Sequence, residues 1–173
     1  MSRKRRYTIG IDPGAKGGLA ILDHHSGDLT LERLVSDLPG MYRQLEALSG
    51  CPGTRVYVEN VGSGRPGNAI KAMTTFARHC GHLDAYLSLL YPGTVKDRYG
   101  QQVCSVSPMR WMNKVVGRDR PKVVSDRKAY IMATVSGILI EEFGAYQGPL
   151  NLDTADAAGI LIYGLRDQEG AYA

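Results

Sequence analysis

Short apolar runs bounded by turn residues predict five β-strands. Each run is three to six residues long, which suits a strand and is too short for a helix. The predicted strands cover residues 7–11, 19–22, 29–34, 56–58 and 103–106. Only short turns separate the first three runs, so we expect these strands to form an antiparallel meander.

Most other apolar residues recur three or four positions apart, which predicts helices. Leu83 and Leu87 continue this spacing in the longest such segment, and Ser107 followed by Pro108 is a typical helix start. The predicted helices cover residues 41–49, 68–90, 108–111, 125–143 and 155–165. Without the short helix at 108–111 the order is βββαβαβαα, which predicts an α/β fold: a mixed five-stranded sheet flanked by helices.

The length and composition fit one folded domain. A chain of 173 residues with 43% hydrophobic residues buries enough surface for a core of its own. We expect residues 1–6, which include four consecutive basic side chains, to form an N-terminal arm. We expect residues 167–173 to form a flexible tail.

Cysteine usage and hydropathy predict a cytoplasmic protein. Cys51, Cys80 and Cys104 are odd in number and widely spaced, so we expect free thiols in a reducing compartment. No apolar stretch approaches the roughly 18 to 20 residues that a membrane helix needs. No membrane partner is therefore expected.

Charge is segregated along the chain, although the net charge is only +4. Residues 110–128 contain seven basic and two acidic side chains, whereas residues 129–173 contain six acidic and one basic. This pattern predicts a surface for a polyanion such as DNA beside an acidic site; an ordinary solvated basic face is the alternative. We assign DNA binding to Arg65, Arg110, Lys114, Arg118, Arg120, Lys122, Arg127 and Lys128.

Four carboxylates stand where an α/β fold usually binds its ligand. Asp12 and Glu59 each end a predicted strand, and strand ends are where ligands meet such sheets. Asp153 and Asp156 are three residues apart, so they share one face at the start of the last helix. Each acid also has an ordinary alternative role, in a turn, a surface ion pair or a helix cap.

The chemistry of these four acids points to a hard cation. Carboxylate oxygens suit Mg²⁺ or Mn²⁺ and suit zinc poorly. No histidine stands in a ligand pattern, although His79 and His82 are three residues apart. Because two such cations can activate water and stabilise a leaving oxygen, acids beside a basic surface predict a nuclease with two Mg²⁺ ions per active site.

Three segments carry a family resemblance. Residues 9–14 (IGIDPG), 58–61 (VENV) and 153–158 (DTADAA) resemble, in order and separation, the three acidic motifs of RuvC-type Holliday junction resolvases. The stretch 107–135 resembles the DNA-binding segment of that family. The resemblance implies an RNase H-like fold, a homodimer, and Mg²⁺-dependent paired nicks in four-way DNA junctions that leave 5′ phosphates.

The resemblance also implies roles for individual residues. It would make the four acids metal ligands and catalytic residues. Lys128 is the best match for a lysine that offsets charge on the phosphate near the scissile bond, with Lys114 and Arg127 as alternatives. The family commonly has an aromatic residue after its glutamate motif, where this chain has Gly62 and a Gly-rich loop. A divergent, phage-encoded member of the family would fit this difference.

Other functions stay open at this point. A related nuclease acting on other branched DNA or on structured RNA would share the acids, and a non-catalytic DNA-binding protein would share the basic surface. The turn at residues 10–18 is similar to that of actin-like ATPases, but that class needs two such lobes. A chain of this length has room for one, so no nucleotide cofactor is expected.

Overall fold

The computed structural model describes residues 6–14, 16–51, 53–60, 70–91 and 103–169. The elements within these ranges are β1 (Tyr7–Asp12), β2 (Gly18–Asp23), β3 (Leu29–Arg33), α1 (Leu38–Ser49), β4 (Arg55–Glu59), α2 (Ile70–Leu90), β5 (Val103–Val106), α3 (Pro108–Val115), α4 (Val124–Phe143) and α5 (Ala155–Glu169). Residues 1–5 of the predicted arm, the predicted DNA-binding Arg65 and residues 170–173 lie outside the described residues.

The strands form one mixed sheet in the order β3-β2-β1-β4-β5. β1, β2 and β3 are the expected antiparallel meander, whereas β4 pairs in parallel with β1 and with β5. Parallel neighbours need crossover connections, and α1 and α2 lie within those connections. The predicted α/β architecture, a mixed five-stranded sheet with flanking helices, is confirmed.

Two hydrophobic clusters pack against opposite faces of the sheet. One contains Ile9, Ile11, Val56 and Val58 together with residues of α1 and α2. The other joins alternate residues of the same strands, such as Tyr57, to α3, α4 and α5. Because side chains alternate along a strand, β2 and β4 contribute to both clusters, whereas β1 contributes its isoleucines to the first cluster only.

Glycines let α5 lie very close to β1 and β2. A β-carbon at Gly10 would overlap the carbonyl oxygen of Ala157, and one at Gly18 would overlap that of Asp153. Both neighbours are backbone atoms, so the contact cannot be relieved by turning a side chain. Gly18 pairs with the last residue of β1, so these glycines bring the start of α5 to the end of that strand.

Two helices are longer than their sequence patterns predict. α3 continues to Val115, beyond the expected end at Trp111, because both residues are buried in the core. α1 begins at Leu38, three residues early, because the side chain of Asp37 accepts a hydrogen bond from the backbone N–H of Gly40. Local capping and core packing therefore extend helices beyond the most regular part of their apolar pattern.

The last helix also runs further than expected. α5 extends to Glu169, which places its final residues inside the segment expected to be a flexible tail. Gln168 is buried, and its amide donates a hydrogen bond of 3.0 Å to Tyr57 Oη. This contact anchors the end of α5 to the sheet.

The structure also bears on the cysteines and on membrane contact. Cys51, Cys80 and Cys104 are free thiols, as expected, although each is half-buried rather than fully buried. Among the described residues, no helix combines the length and the apolar character that a membrane span requires.

Candidate active site

Asp12 and Glu59 lie at the same edge of the sheet. Their strands are parallel neighbours, and the register pairs Ile11 with Val58, one residue before each acid. On each strand the residue two positions before the acid packs against α5. Because residues two apart share a face, both carboxylates project towards α5.

The other two acids come from the start of α5. Asn151, and not Asp153, caps the turn that leads into α5, because its Oδ1 accepts hydrogen bonds from the backbone N–H groups of Asp153 and Thr154 at 2.9 and 3.2 Å. Thr154 is buried, and its hydroxyl donates to the carbonyl oxygen of Pro149 at 2.7 Å. Capping therefore leaves the carboxylates of Asp153 and Asp156 available for another role.

Electrostatics show that the four acids converge. The pKa of Asp12 rises to about 8, first because the carboxyl group is withdrawn from water and then because of the charges of Asp156 and Glu59; Lys128 opposes the rise and Asp153 adds least to it. All three other acids are therefore near enough to act on Asp12. Carboxylates from two strand ends and one helix thus meet at a single edge of the sheet.

The donor set fits a hard divalent cation by its chemistry. Burial also raises the pKa of Asp156, against the opposing charges of Lys128 and Arg127, so this edge disfavours negative charge that lacks a positive partner. Within the described ranges, no three His, Cys, Asp or Glu side chains have the close spacing of a formed metal cage. The acids lie within electrostatic range of Asp12 at this edge, and their side chains are not closed around an ion site in this structure.

Two basic residues near the start of α4 face the acids. Lys128 lowers the pKa of both Asp12 and Asp156, and Arg127 lowers that of Asp156. α4 holds them there because its buried residues pack into the same cluster as α5. The structure therefore brings Lys128, the lysine singled out from the sequence, to the four acids.

Two other predicted DNA-binding residues lie further away. Arg110 and Lys114 on α3 stand over the ring of Tyr163, with their charged groups 5.8 and 5.3 Å from its centre. Tyr163 follows Asp156 by seven residues on α5, which is about 10 Å along the helix. The structure does not bring these two cations to the acids.

The connection between α3 and α4 carries the remaining predicted cations. Arg120 turns inward and donates hydrogen bonds to Asn113 Oδ1 at 2.7 Å and to the carbonyl oxygen of Gly117 at 2.6 Å. Arg118 and Lys122 are exposed on the same connection. Arg120 thus shapes the segment that presents the other two.

Comparison with solved structures covers almost the whole chain. Thermus thermophilus RuvC in complex with a Holliday junction substrate matches with a TM-score of 0.58 and 14% sequence identity, over 96% of this chain and 97% of that chain. Another structure of Thermus thermophilus RuvC matches with a TM-score of 0.52 and 18% identity, over 95% and 96%. The chain has the RuvC fold.

The structural match to RuvC confirms the predicted RNase H-like architecture. The yeast mitochondrial Holliday junction resolvase Ydc2 aligns with a TM-score of 0.45 and 16% identity, over 95% of this chain and 79% of that chain. No family model matches the chain, and no curated protein matches it.

Within the RuvC fold, the site includes one residue that sequence reasoning did not assign to it. Trp111 is 1% exposed, and its indole Nε1 donates a hydrogen bond of 2.7 Å to Glu59 Oε1. The two residues are 52 positions apart, so no local motif links them. The available signal was general: a buried indole N–H needs an acceptor.

Proposed function

We propose that this protein is a metal-dependent endonuclease that resolves four-way DNA junctions by paired symmetric nicks, which leave 5′ phosphates. The observation that carries the proposal is that Asp12 lies near Glu59, Asp153 and Asp156 at one edge of the sheet, with Lys128 beside them. The RuvC fold supports the choice of substrate, because one similar structure is RuvC bound to a Holliday junction substrate.

The four acids would hold the metal. Mg²⁺ is the cation we propose, with Mn²⁺ as a substitute and two ions in each active site, because the donors are all carboxylate oxygens. When bound, such ions supply activation of the attacking water and stabilisation of the departing 3′ oxygen.

The basic residues beside the acids would act on the scissile phosphate. Lys128 and Arg127 lie next to Asp156, where negative charge builds up on the phosphate during cleavage. Their positive charges would offset that build-up and hold the DNA backbone in place.

Basic residues further from the acids would contact the DNA backbone on either side of the cut. Backbone contacts carry no sequence information, so junction binding should weaken steeply as salt is raised. We assign this role to Arg110, Lys114, Arg118 and Lys122. Arg120 would contribute by holding the α3–α4 connection in shape.

Paired cutting has a consequence for assembly. Two symmetric nicks in one junction require two active centres, and the four acids of one chain form one such centre. We therefore propose that the working form is a homodimer with two-fold symmetry, which matches the symmetry of a four-way junction.

The decisive experiment compares Asp12→Asn with the wild type on a four-way junction labelled on each strand, in Mg²⁺. Loss of this carboxylate should lower cleavage on the order of 10³-fold or more while junction binding persists, because the basic residues are unchanged. Asp119→Asn makes the same change on the exposed α3–α4 connection and should cut like the wild type.

The products and substrates complete this test. Wild-type nicks should fall at symmetric positions on two strands and should be sealed by DNA ligase, which requires 5′ phosphates. Unchanged cleavage by Asp12→Asn would show that Asp12 is not part of the active site. Equal cleavage of duplex, flap and four-way junction DNA would support a nuclease activity but would contradict specific resolution of junctions.

A further inference from the structure

The hydrogen bond from Trp111 to Glu59 connects the hydrophobic core to the candidate metal site. Trp111 Nε1 lies 2.7 Å from Glu59 Oε1, a short distance that is typical of a charge-assisted bond. Trp111 belongs to α3 and Glu59 ends β4, so the bond joins two elements. The core therefore presents a polar hydrogen directly to one oxygen of a candidate ligand.

The indole ring is held on its other side by α5. A β-carbon at Gly159 would lie 2.6 Å from Cζ3 and 3.1 Å from Cε3 of Trp111, so the ring lies almost against the helix backbone. Gly159 is three residues after Asp156, about one turn further along the helix. Trp111 thus lies between the element that carries Glu59 and the element that carries the other pair of acids.

The start of α3 fixes the position of the donor as well. Ser107 caps this helix by accepting a hydrogen bond from the backbone N–H of Arg110, and Pro108 occupies its first turn. With the cap on one side and Gly159 on the other, the indole has little room to shift or turn. A donor held in this way fixes the rotation of the carboxylate that accepts from it.

We propose that Trp111 is a positioning residue that orients the Glu59 carboxylate for divalent cation binding. The inference rests on the proposed function, because it takes Glu59 as a metal ligand. Hydrogen-bond partners of metal ligands set ligand orientation, and removing them typically lowers metal affinity 10- to 100-fold. Trp111 acts here through Glu59 and does not contact the ion or the DNA.

The test replaces one atom of the side chain. Substituting Trp111 with 3-benzothienylalanine exchanges the indole N–H for sulfur and keeps the bicyclic shape, so packing against Gly159 is retained. The chain has one tryptophan, so this replacement affects a single site. We expect affinity for Mn²⁺, measured without DNA by electron paramagnetic resonance of the free ion, to fall about 10- to 100-fold.

Tyr57→Phe is the matched control. It removes the hydrogen bond between Tyr57 Oη and Gln168, which joins the same strand to the far end of α5. A purely structural effect of weakening the contact between β4 and α5 would appear in both variants. Urea unfolding should show stability losses in both, whereas only the Trp111 replacement should lose Mn²⁺ affinity.

A second measurement needs no change at Trp111. The only indole N–H of the protein gives one resolved ¹⁵N–¹H resonance, and it should shift when Mg²⁺ is added to the wild type. Asp12→Asn, which lacks a different carboxylate of the site, should show a much weaker shift at the same Mg²⁺ concentration.

The outcomes separate the two proposals. If the wild type binds Mn²⁺ and the benzothienyl protein binds it equally well, the positioning role is overturned and the nuclease proposal stands. If the indole resonance does not respond to Mg²⁺ in a wild type that cleaves junctions, the positioning role is overturned again. If the wild type binds neither ion, both proposals fail together.

Discussion

The two faces of the sheet use the same strands but different kinds of contact. On the α1–α2 face, Ile9 and Ile11 of β1 pack side chain against side chain. On the α5 face, the alternating positions of that strand are Gly10 and Asp12, and the helix backbone lies against the glycine. On this face the backbone of α5 occupies the space that side chains fill on the other face. This close approach brings Asp156, and Asp153 just before the helix, to Asp12.

This difference has a physical consequence. A contact between side chains can relax when an atom is added or removed, because rotamers change. A contact between backbones has no such freedom. The face that carries the candidate chemistry should therefore be the less tolerant of substitution, and the following experiments test that contrast.

The largest expected effect comes from adding one methyl group where α5 meets β1, with an exposed glycine of α2 as the control. Gly10→Ala places a β-carbon against the carbonyl of Ala157 and should lower the free energy of unfolding by about 3 kcal/mol or more. Gly81→Ala, in α2, meets no atom within 4 Å and should raise it by up to about 1 kcal/mol, because alanine favours a helix.

Urea unfolding of both variants measures this contrast. Equal effects of the same sign would contradict the close backbone approach of α5 to β1. Cleavage by Gly81→Ala should match the wild type, since Gly81 is exposed and an added β-carbon meets no atom within 4 Å.

The next effect is a pH dependence confined to the acidic edge. Asp12 has a pKa of about 8 in the folded protein against 3.8 ordinarily, so between about pH 4 and pH 8 the unfolded chain has released a proton that the folded chain keeps. Without divalent cations, the contribution of Asp12 to stability should therefore be fully present below about pH 4 and be lost as pH rises to 8, by up to about 1.4 kcal/mol per pH unit.

Asp12→Asn cannot ionise and should flatten this slope. Unfolding in EDTA at several pH values between 5 and 8 measures it, with Asp119→Asn as the exposed control that keeps the wild-type slope. Parallel slopes for Asp12→Asn and the wild type would show that Asp12 is not withdrawn from water. The pKa of Asp156 is also raised by burial, so the stability of Asp12→Asn should still fall with rising pH, but less steeply than that of the wild type.

The smallest effect on stability compares two helix caps. Asn151→Ala and Asp37→Ala each remove a side-chain cap, of the turn that leads into α5 and of α1 respectively, and each should cost about 1 kcal/mol. Only the first cap orders the turn that carries Asp153 and Asp156. Cleavage should therefore fall with Asn151→Ala and stay near the wild-type rate with Asp37→Ala; equal loss in both would indicate a general stability effect.

Much of this organisation could be predicted from local patterns. The five strand positions, the mixed sheet and the four acids follow from apolar runs, turn residues and carboxylates at strand ends. The limits of such reasoning are visible at Asp153, for which helix capping was an open alternative. Asn151 takes that role because the chain turns there, and the turn depends on the buried Thr154.

The basic residues show a second limit. By charge alone, Arg110, Arg120 and Lys128 are equivalent members of one segment, and only the family resemblance distinguishes Lys128. In the folded chain Lys128 acts on the acids, Arg120 bonds within its own connection, and Arg110 stands over Tyr163. The charge pattern along the chain does not show where each basic side chain points, because that depends on how α3 and α4 pack.

The amino-acid order by itself determined the elements and the chemical character of the site, because strand alternation, helix periodicity and turn preference act over a few neighbouring residues. Tertiary structure alone decided which groups meet. The Trp111–Glu59 bond spans 52 positions and exists because α3, β4 and α5 share one core. Contacts of that kind depend on the distance between elements, and at this face glycines with no side chain set that distance.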